Sequence, residues 1–188
     1  MNMSQAKLID AHCHIQLQPL FDRAQEAIVR ARSVGIDRAV VCGVCPGEDW
    51  LRVQQLATLE AAFVVPAFGL HPWWIKRYFA SRRLVGDACP PCDSATFDAY
   101  AALEVDLREA VGGDARACVG ECGLDKPSKK QVPLAVQEAV LERHVHVAAD
   151  LQRPLILHCV GSWGRLHGQL QRAPSGIPSV ILHSCNSM

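Results

Sequence analysis

What most constrains the fold of this chain is a recurrence. Short runs rich in Val, Ile and Leu return along its length, separated by stretches of helical spacing, and all but one end at or just before a histidine or a carboxylate. Leu8-Ile9 leads into Asp10, His12 and His14. Phe63 to Phe68 leads into Gly69-Leu70-His71, Ala117 to Glu121 ends in a carboxylate, Leu155 to Leu157 closes on His158, and Val180 to Leu182 closes on His183. Continuous apolar strands alternating with helices argue for a parallel sheet covered by helices. In a barrel of that type the C-terminal strand ends hold the active site. The expected architecture is therefore α/β, a parallel sheet covered by helices, with its polar residues gathered at one rim as on the active-site face of a TIM barrel.

The segments between the runs fit the same plan. Asp22 with Gln25 makes a capping-box-like start to a helix that stops at Gly35. Arg38 to Val44 reads as the second strand and Glu48 to Ala61, carrying Leu51, Leu56 and Leu59, as the second helix. From Ile75 to about Thr96 there is no clear period, so a long loop is expected. Phe97, Tyr100, Leu103, Leu107 and Val111 mark a helix that starts at Ser94 or Thr96. Val136, Val140, Leu141, His144, Val147, Ala148 and Leu151 give the strongest helical face, and Trp163, Leu166 and Leu170 suggest a last helix.

Side chains on a strand alternate faces, so Asp10, His12 and His14 share one side and Cys13 the other. Two imidazoles so placed can bite one metal ion, with Asp10 as a partner for a ring N–H. A pair of packed or surface histidines fits the same spacing. His144, in the middle of an apolar helical face, reads as a packed histidine with a hydrogen-bond partner.

Composition narrows the alternatives. With 49% hydrophobic and 20% charged residues the 188-residue chain is expected to form a single domain, and a formal net charge of zero provides no global field toward nucleic acid or acidic membranes. No apolar run offers a membrane span and the first residues lack the apolar core of a secretory signal, which points to the cytoplasm, with the nucleus as the alternative. Nine cysteines are an odd number in such a chain, so reduced thiols are expected. Cys42 with Cys45 and Cys89 with Cys92 form two C-x-x-C pairs, but they stand too far apart for a zinc ribbon and Cys42 sits inside a strand pattern. Cys89-Pro90-Pro91-Cys92 reads better as a rigid turn.

Five motifs occur in one order: Asp10-Ala-His-Cys-His14, Gly69-Leu-His-Pro72, Gly120-Glu-Cys-Gly-Leu-Asp125, Pro154-Leu-Ile-Leu-His-Cys159 and Ile181-Leu-His-Ser184. Together they resemble the TatD-type deoxyribonucleases, a family of metal-dependent hydrolases with a (β/α)8 barrel. The resemblance implies a divalent-metal-dependent phosphodiester hydrolase acting on DNA. It implies that His12 and His14 hold a first metal, that Glu121 bridges two metals, and that His158 and His183 hold the second. Glu121 and His71 would be the catalytic residues, His71 lying near the scissile phosphate. It implies two divalent ions, with Mg, Mn and Zn as candidates, since imidazole with carboxylate does not single out one metal. Two such ions can activate water and clamp the attacking and leaving oxygens at phosphorus. Amidohydrolases that also begin with His-x-His usually carry a modified lysine where this chain has Glu121.

The family continues beyond the sixth strand, and an aspartate at the end of the eighth completes its first metal site. A barrel of this type takes about 250 residues, so the chain is expected to be truncated after the sixth strand, with open sheet edges that invite self-association. Two accounts stand: a fragment of a larger enzyme, or a metal-binding interaction module in which Asp125 or water fills the open position. The family usually has glutamine where this chain has His144. Lys76, Arg77, Arg82, Arg83, Lys126, Lys129 and Lys130 could steer phosphate or simply be solvated, and Trp73 and Trp74 could stack on bases or roof the barrel.

Overall fold

The computed structural model describes residues 7–81 and 97–183. Six strands, β1 (Leu8–Cys13), β2 (Ile36–Cys42), β3 (Val64–Phe68), β4 (Cys118–Asp125), β5 (Leu155–Val160) and β6 (Val180–His183), lie in sequence order in one sheet. Every neighbouring pair is parallel. Helices α1 (Ala24–Ser33), α2 (Trp50–Leu59), α3 (Ile75–Ser81), α4 (Phe97–Gly112), α5 (Leu134–Asp150) and α6 (Trp163–Gln171) fall between the strands. The sheet curls until its first and last strands face one another: the rings of His12 on β1 and His183 on β6 stack 3.6 Å apart. This is a nearly closed barrel of the expected type, built here from six strands.

Period two sorts each strand's side chains. Ala39 and Val41, Val64 and Phe68, and Leu155 and Leu157 face outward into the large core beneath the helices, with Leu103, Leu107, Leu141 and Val147. Val40, Cys42, Ala67, Cys118 and Ile156 face inward and form a smaller cluster. Several of these are small, which suits the narrow lumen of such a barrel. Among the described residues β1 and β6 each pair with one strand. Their Leu8, Ile9, Val180 and Leu182 are exposed.

Four expectations change. The stretch after His71 is not all loop: a 3-10 turn at Pro72–Trp74 runs into α3, whose Ile75, Tyr78 and Phe79 are buried. Their spacing of three and four is helical, but the segment is too short for a periodicity window to register. The first helix begins at Ala24 after a 3-10 turn at Phe21–Arg23, and Asp22 accepts from Gln18 rather than capping it. β4 runs past Glu121 to Asp125. Asp10 does not orient an imidazole ring; its Oδ1 accepts the backbone N–H of His12 at 3.1 Å. Arg82, Arg83, Ser94, Thr96, Cys89, Cys92 and Ser184, invoked for phosphate steering, a helix start, a thiolate site and the last motif, lie outside the described residues. Among the described residues no helix is long and apolar enough to cross a membrane.

Candidate metal centre

Glu121 is the centre of the rim. It is 2% exposed, and glycines on either side let β4 approach its neighbours. A Cβ at Gly120 (φ +132°) would lie 2.4 Å from the carbonyl oxygen of Ile156, and one at Gly123 (φ +145°) would lie 2.0 Å from that of His158. Only glycine tolerates both the backbone conformation and the proximity.

The two carboxylate oxygens of Glu121 face different histidines. Oε2 lies 3.2 Å from Nε2 of His12 and 3.2 Å from Nε2 of His14, which are themselves 3.0 Å apart. Oε1 lies 3.1 Å from Nδ1 of His158 and 3.8 Å from Nε2 of His71. Two clusters able to hold a cation thus share one carboxylate: His12, His14 and Glu121, and His71, Glu121 and His158. Among the expected ligands His183 stands apart. Its ring lies flat on His12, and 6.4 Å from the ring of His158.

The remote ring nitrogens decide which of these groups can be ligands. A neutral imidazole carries one N–H and one lone pair, and whatever the outer nitrogen bonds fixes what the inner one presents. For His14 the outer Nδ1 faces the Cys42 carbonyl oxygen at 2.8 Å, an acceptor only, so Nδ1 holds the proton and Nε2 presents a lone pair. For His158 the outer Nε2 faces Asp125 Oδ2 at 3.0 Å, leaving Nδ1 as the lone-pair nitrogen toward Glu121 once a cation is present. His71 is wired the other way. Its Nδ1 accepts the Trp73 backbone N–H at 3.2 Å, so Nε2 carries the proton and points a donor, not a lone pair, into the site. Proximity alone groups His71 with the ligands; its hydrogen bonding does not.

The donor chemistry fits a cation. Two nitrogens each about 2.1 Å from an ion stand about 3.0 Å apart at a right angle and about 3.4 Å apart at a tetrahedral one, and the His12 and His14 Nε2 atoms are 3.0 Å apart. Lone pairs of His14 and of a carboxylate, 3.2 Å apart in a buried site, repel unless a proton or a cation lies between them. The titration of these groups reflects that strain. Burial works against an ionised Glu121, yet hydrogen bonds from His12, His14 and His158 hold it well below the usual carboxylate range. Burial also lowers His14 and His158, but Glu121, joined for His158 by Asp125, raises both overall. Burial pushes His71 down to about 4, outweighing the attraction of Glu121, and keeps the ring neutral. His183 is lowered by burial and by His12 beside it.

Around this centre stand further polar and aromatic groups, of which Gln16 and Asp49 carried no signal in the sequence. Asp125, 2% exposed, takes the Ser128 N–H on Oδ1 and faces His158 with Oδ2, while its backbone N–H bonds Gln137. Burial opposes its ionisation, and the His158 contact and the Ser128 N–H lower its pKa nonetheless. The sequence offered Asp125 for an open metal position; in the fold it stands against the outer nitrogen of His158. Buried Gln16 and Asp49 join the β1 and β2 loops, Gln16 donating to Asp49 Oδ2 and to the Cys42 carbonyl. No periodic signal links residues so far apart. His144 is buried as expected, Nδ1 to the Val140 carbonyl and Nε2 accepting the Leu70 N–H, and so braces the segment that carries His71. Trp73 is 65% exposed beside His71, their ring centroids 5.0 Å apart, whereas Trp74 packs against the core under Arg77. Lys76, Lys126, Lys129 and Lys130 are exposed, and Arg77 pairs with Glu48.

Comparison with known proteins agrees with the fold and motifs. A family model described as TatD related DNase matches residues 9–188. The chain is 30% identical to the Cut9-interacting protein scn1 of Schizosaccharomyces pombe, covering 92% of this chain and 61% of that protein. It is 27% identical to a 3'-5' ssDNA/RNA exonuclease TatD of Edwardsiella piscicida, covering 84% and 52%. The crystal structure of YJJV, a TatD homologue from Escherichia coli, superposes with a TM-score of 0.74 at 22% identity, covering 96% of this chain and 61% of that one. The chain thus spans roughly half to three-fifths of the length of these relatives.

Proposed function

The chain belongs to the TatD related DNase family, and on that premise we propose that it is a divalent-metal-dependent phosphodiester hydrolase acting on nucleic acid, with DNA as substrate. The observation that carries the reading is the division of one buried carboxylate between two sets of imidazoles. A bridging carboxylate can serve two ions at once, which a single imidazole lone pair cannot.

When bound, two divalent ions activate water and neutralise charge developing at phosphorus. The chain's own residues hold and orient around them. His12, His14 and Glu121 would hold the first ion, and Glu121 with His158 and, from β6, His183 would hold the second. His71, neutral and with its proton on Nε2, donates a hydrogen bond to a nonbridging phosphate oxygen. Asp125 keeps the His158 proton on Nε2. Exposed Trp73 offers a face for a base to stack on, and Lys126, Lys129 and Lys130 offer positive charge to the strand. Exposed Leu8, Ile9, Val180 and Leu182 on the two edge strands support self-association through β1 and β6.

The test is hydrolysis of a single-stranded oligonucleotide by metal-stripped protein reloaded with Mg, Mn or Zn, with metal content measured in parallel. The expected result is metal-dependent cleavage and up to two ions bound per chain. Glu121→Ala should bind less metal and lose more than about a hundredfold in activity, since losing even an outer partner of a ligand costs about 10–100-fold. Cleavage that survives Glu121→Ala unchanged would overturn the bridging role. Metal uptake without cleavage of any oligonucleotide would leave a metal-binding module.

A further inference from the structure

One residue on β2 holds both imidazoles of the His-x-His pair. The carbonyl oxygen of Cys42 takes His14 Nδ1 at 2.8 Å, and the sulfur of the same residue lies 3.4 Å from His12 Nδ1. Cys42 is fully buried, on the inward face of β2 at its C-terminal end. Its sulfur also receives the Cys13 backbone N–H and lies 3.8 Å from the Val40 carbonyl oxygen.

A thiol is a weak acceptor at sulfur and a weak donor through its proton. Two arrangements are therefore open to His12. In one, His12 Nδ1–H points at the sulfur, the thiol proton points at the Val40 carbonyl, and His12 Nε2 is left with its lone pair toward Glu121. In the other, the thiol donates to Nδ1 and the His12 proton moves to Nε2, where it faces Glu121 Oε2 at 3.2 Å and bars the ring from a cation. The Cys13 N–H directed at the sulfur favours the first, because both N–H groups then find one acceptor while the thiol proton turns to the Val40 carbonyl, which the Cys13 thiol also approaches at 3.4 Å.

We propose that Cys42 is the positioning residue of the first metal site: its main-chain carbonyl fixes the tautomer of His14 and its side-chain sulfur fixes that of His12. The inference rests on the metal-binding reading above. It differs from reading Cys42 as a small apolar filler, because packing is indifferent to which nitrogen of His12 carries the proton. It also separates the two rings, since a side-chain substitution removes the partner of His12 and leaves the main-chain partner of His14 in place.

The experiment compares wild type with Cys42→Ala, Cys42→Val and Cys42→Ser. Zinc affinity is measured by chelator competition, and ring tautomers of the zinc-loaded proteins by 15N–1H NMR of the histidine side chains. Wild type should show protected Nδ1–H groups on both His12 and His14. In Cys42→Ala and in Cys42→Val, which keeps the bulk, the His12 Nδ1–H signal should be lost to exchange while that of His14 persists, with zinc bound about tenfold or more weakly. Cys42→Ser, which keeps a donor and an acceptor, should recover both. Zinc uptake by wild type with an unchanged His12 signal and affinity in the Ala or Val variant overturns this inference alone. Absence of zinc uptake by wild type overturns the metal reading and this inference with it.

Discussion

His144, at the middle of α5, accepts the backbone N–H of Leu70 on Nε2 at 2.9 Å, and so ties a helix on the outside of the barrel to the segment that carries His71. Its other nitrogen donates to the Val140 carbonyl at 2.8 Å, so both partners require the neutral ring. A proton added at Nε2 would face the Leu70 N–H and break the tie.

A pH dependence follows from that geometry. Burial lowers His144 from its ordinary 6.5 to about 4, the Val140 bond opposing only in part. Between those values an unfolded chain takes up a proton that the folded one refuses. Stability is therefore fully present above about 6.5 and falls with pH toward about 4, by roughly 3 kcal/mol from this residue alone. His144→Gln, whose amide oxygen can accept from Leu70 without titrating, should flatten that part of the curve. Urea unfolding of both proteins across this window measures the difference, and parallel curves would remove His144 as its source.

Asp125 faces His158 from the side opposite Glu121. Asp125→Asn keeps the shape but can offer N–H where the carboxylate offered only lone pairs, which would favour the proton on Nδ1 of His158. Metal affinity is expected to fall by about 10–100-fold, the range for loss of a ligand's outer partner. Titration with metal by calorimetry should show one of two sites weakened; equal affinity at both would dissociate Asp125 from the centre.

Trp73 is exposed beside His71 while its neighbour Trp74 is packed, so Trp73→Ala should leave the fold intact. Binding of a single-stranded oligonucleotide should weaken by about 1–3 kcal/mol, as one stacked base contributes. Replacing Lys126, Lys129 and Lys130 should instead reduce the dependence of binding on salt. Fluorescence anisotropy with a labelled strand at several salt concentrations distinguishes the two effects.

Gly123 and Gly112 provide a paired test of backbone geometry. A Cβ at Gly123 would sit 2.0 Å from the His158 carbonyl oxygen, whereas one at Gly112 meets nothing within 4 Å. Gly123→Ala should cost at least about 2 kcal/mol and push β4 away from β5. Gly112→Ala, at the end of α4, should be neutral or slightly stabilising. Thermal melts of the two variants side by side check the contrast.

The alternation of apolar strands with helices was legible because burial on both faces of a parallel sheet leaves a continuous apolar run, as in Leu155 to Leu157. The polar residues at the strand ends were legible for the same reason: a histidine or glutamate stands out where such a run stops. That Glu121 would lie among His12, His14 and His158 follows once those ends share a rim. Distance across the rim, however, depends on how far the sheet curls, and it took the folded chain to set His183 against His12. The sequence also could not assign protons. Whether an imidazole presents a lone pair or an N–H is decided by what its far nitrogen touches, and those partners, the Cys42 carbonyl for His14, Asp125 for His158 and the Trp73 N–H for His71, depend on backbone direction and strand register rather than on residue type.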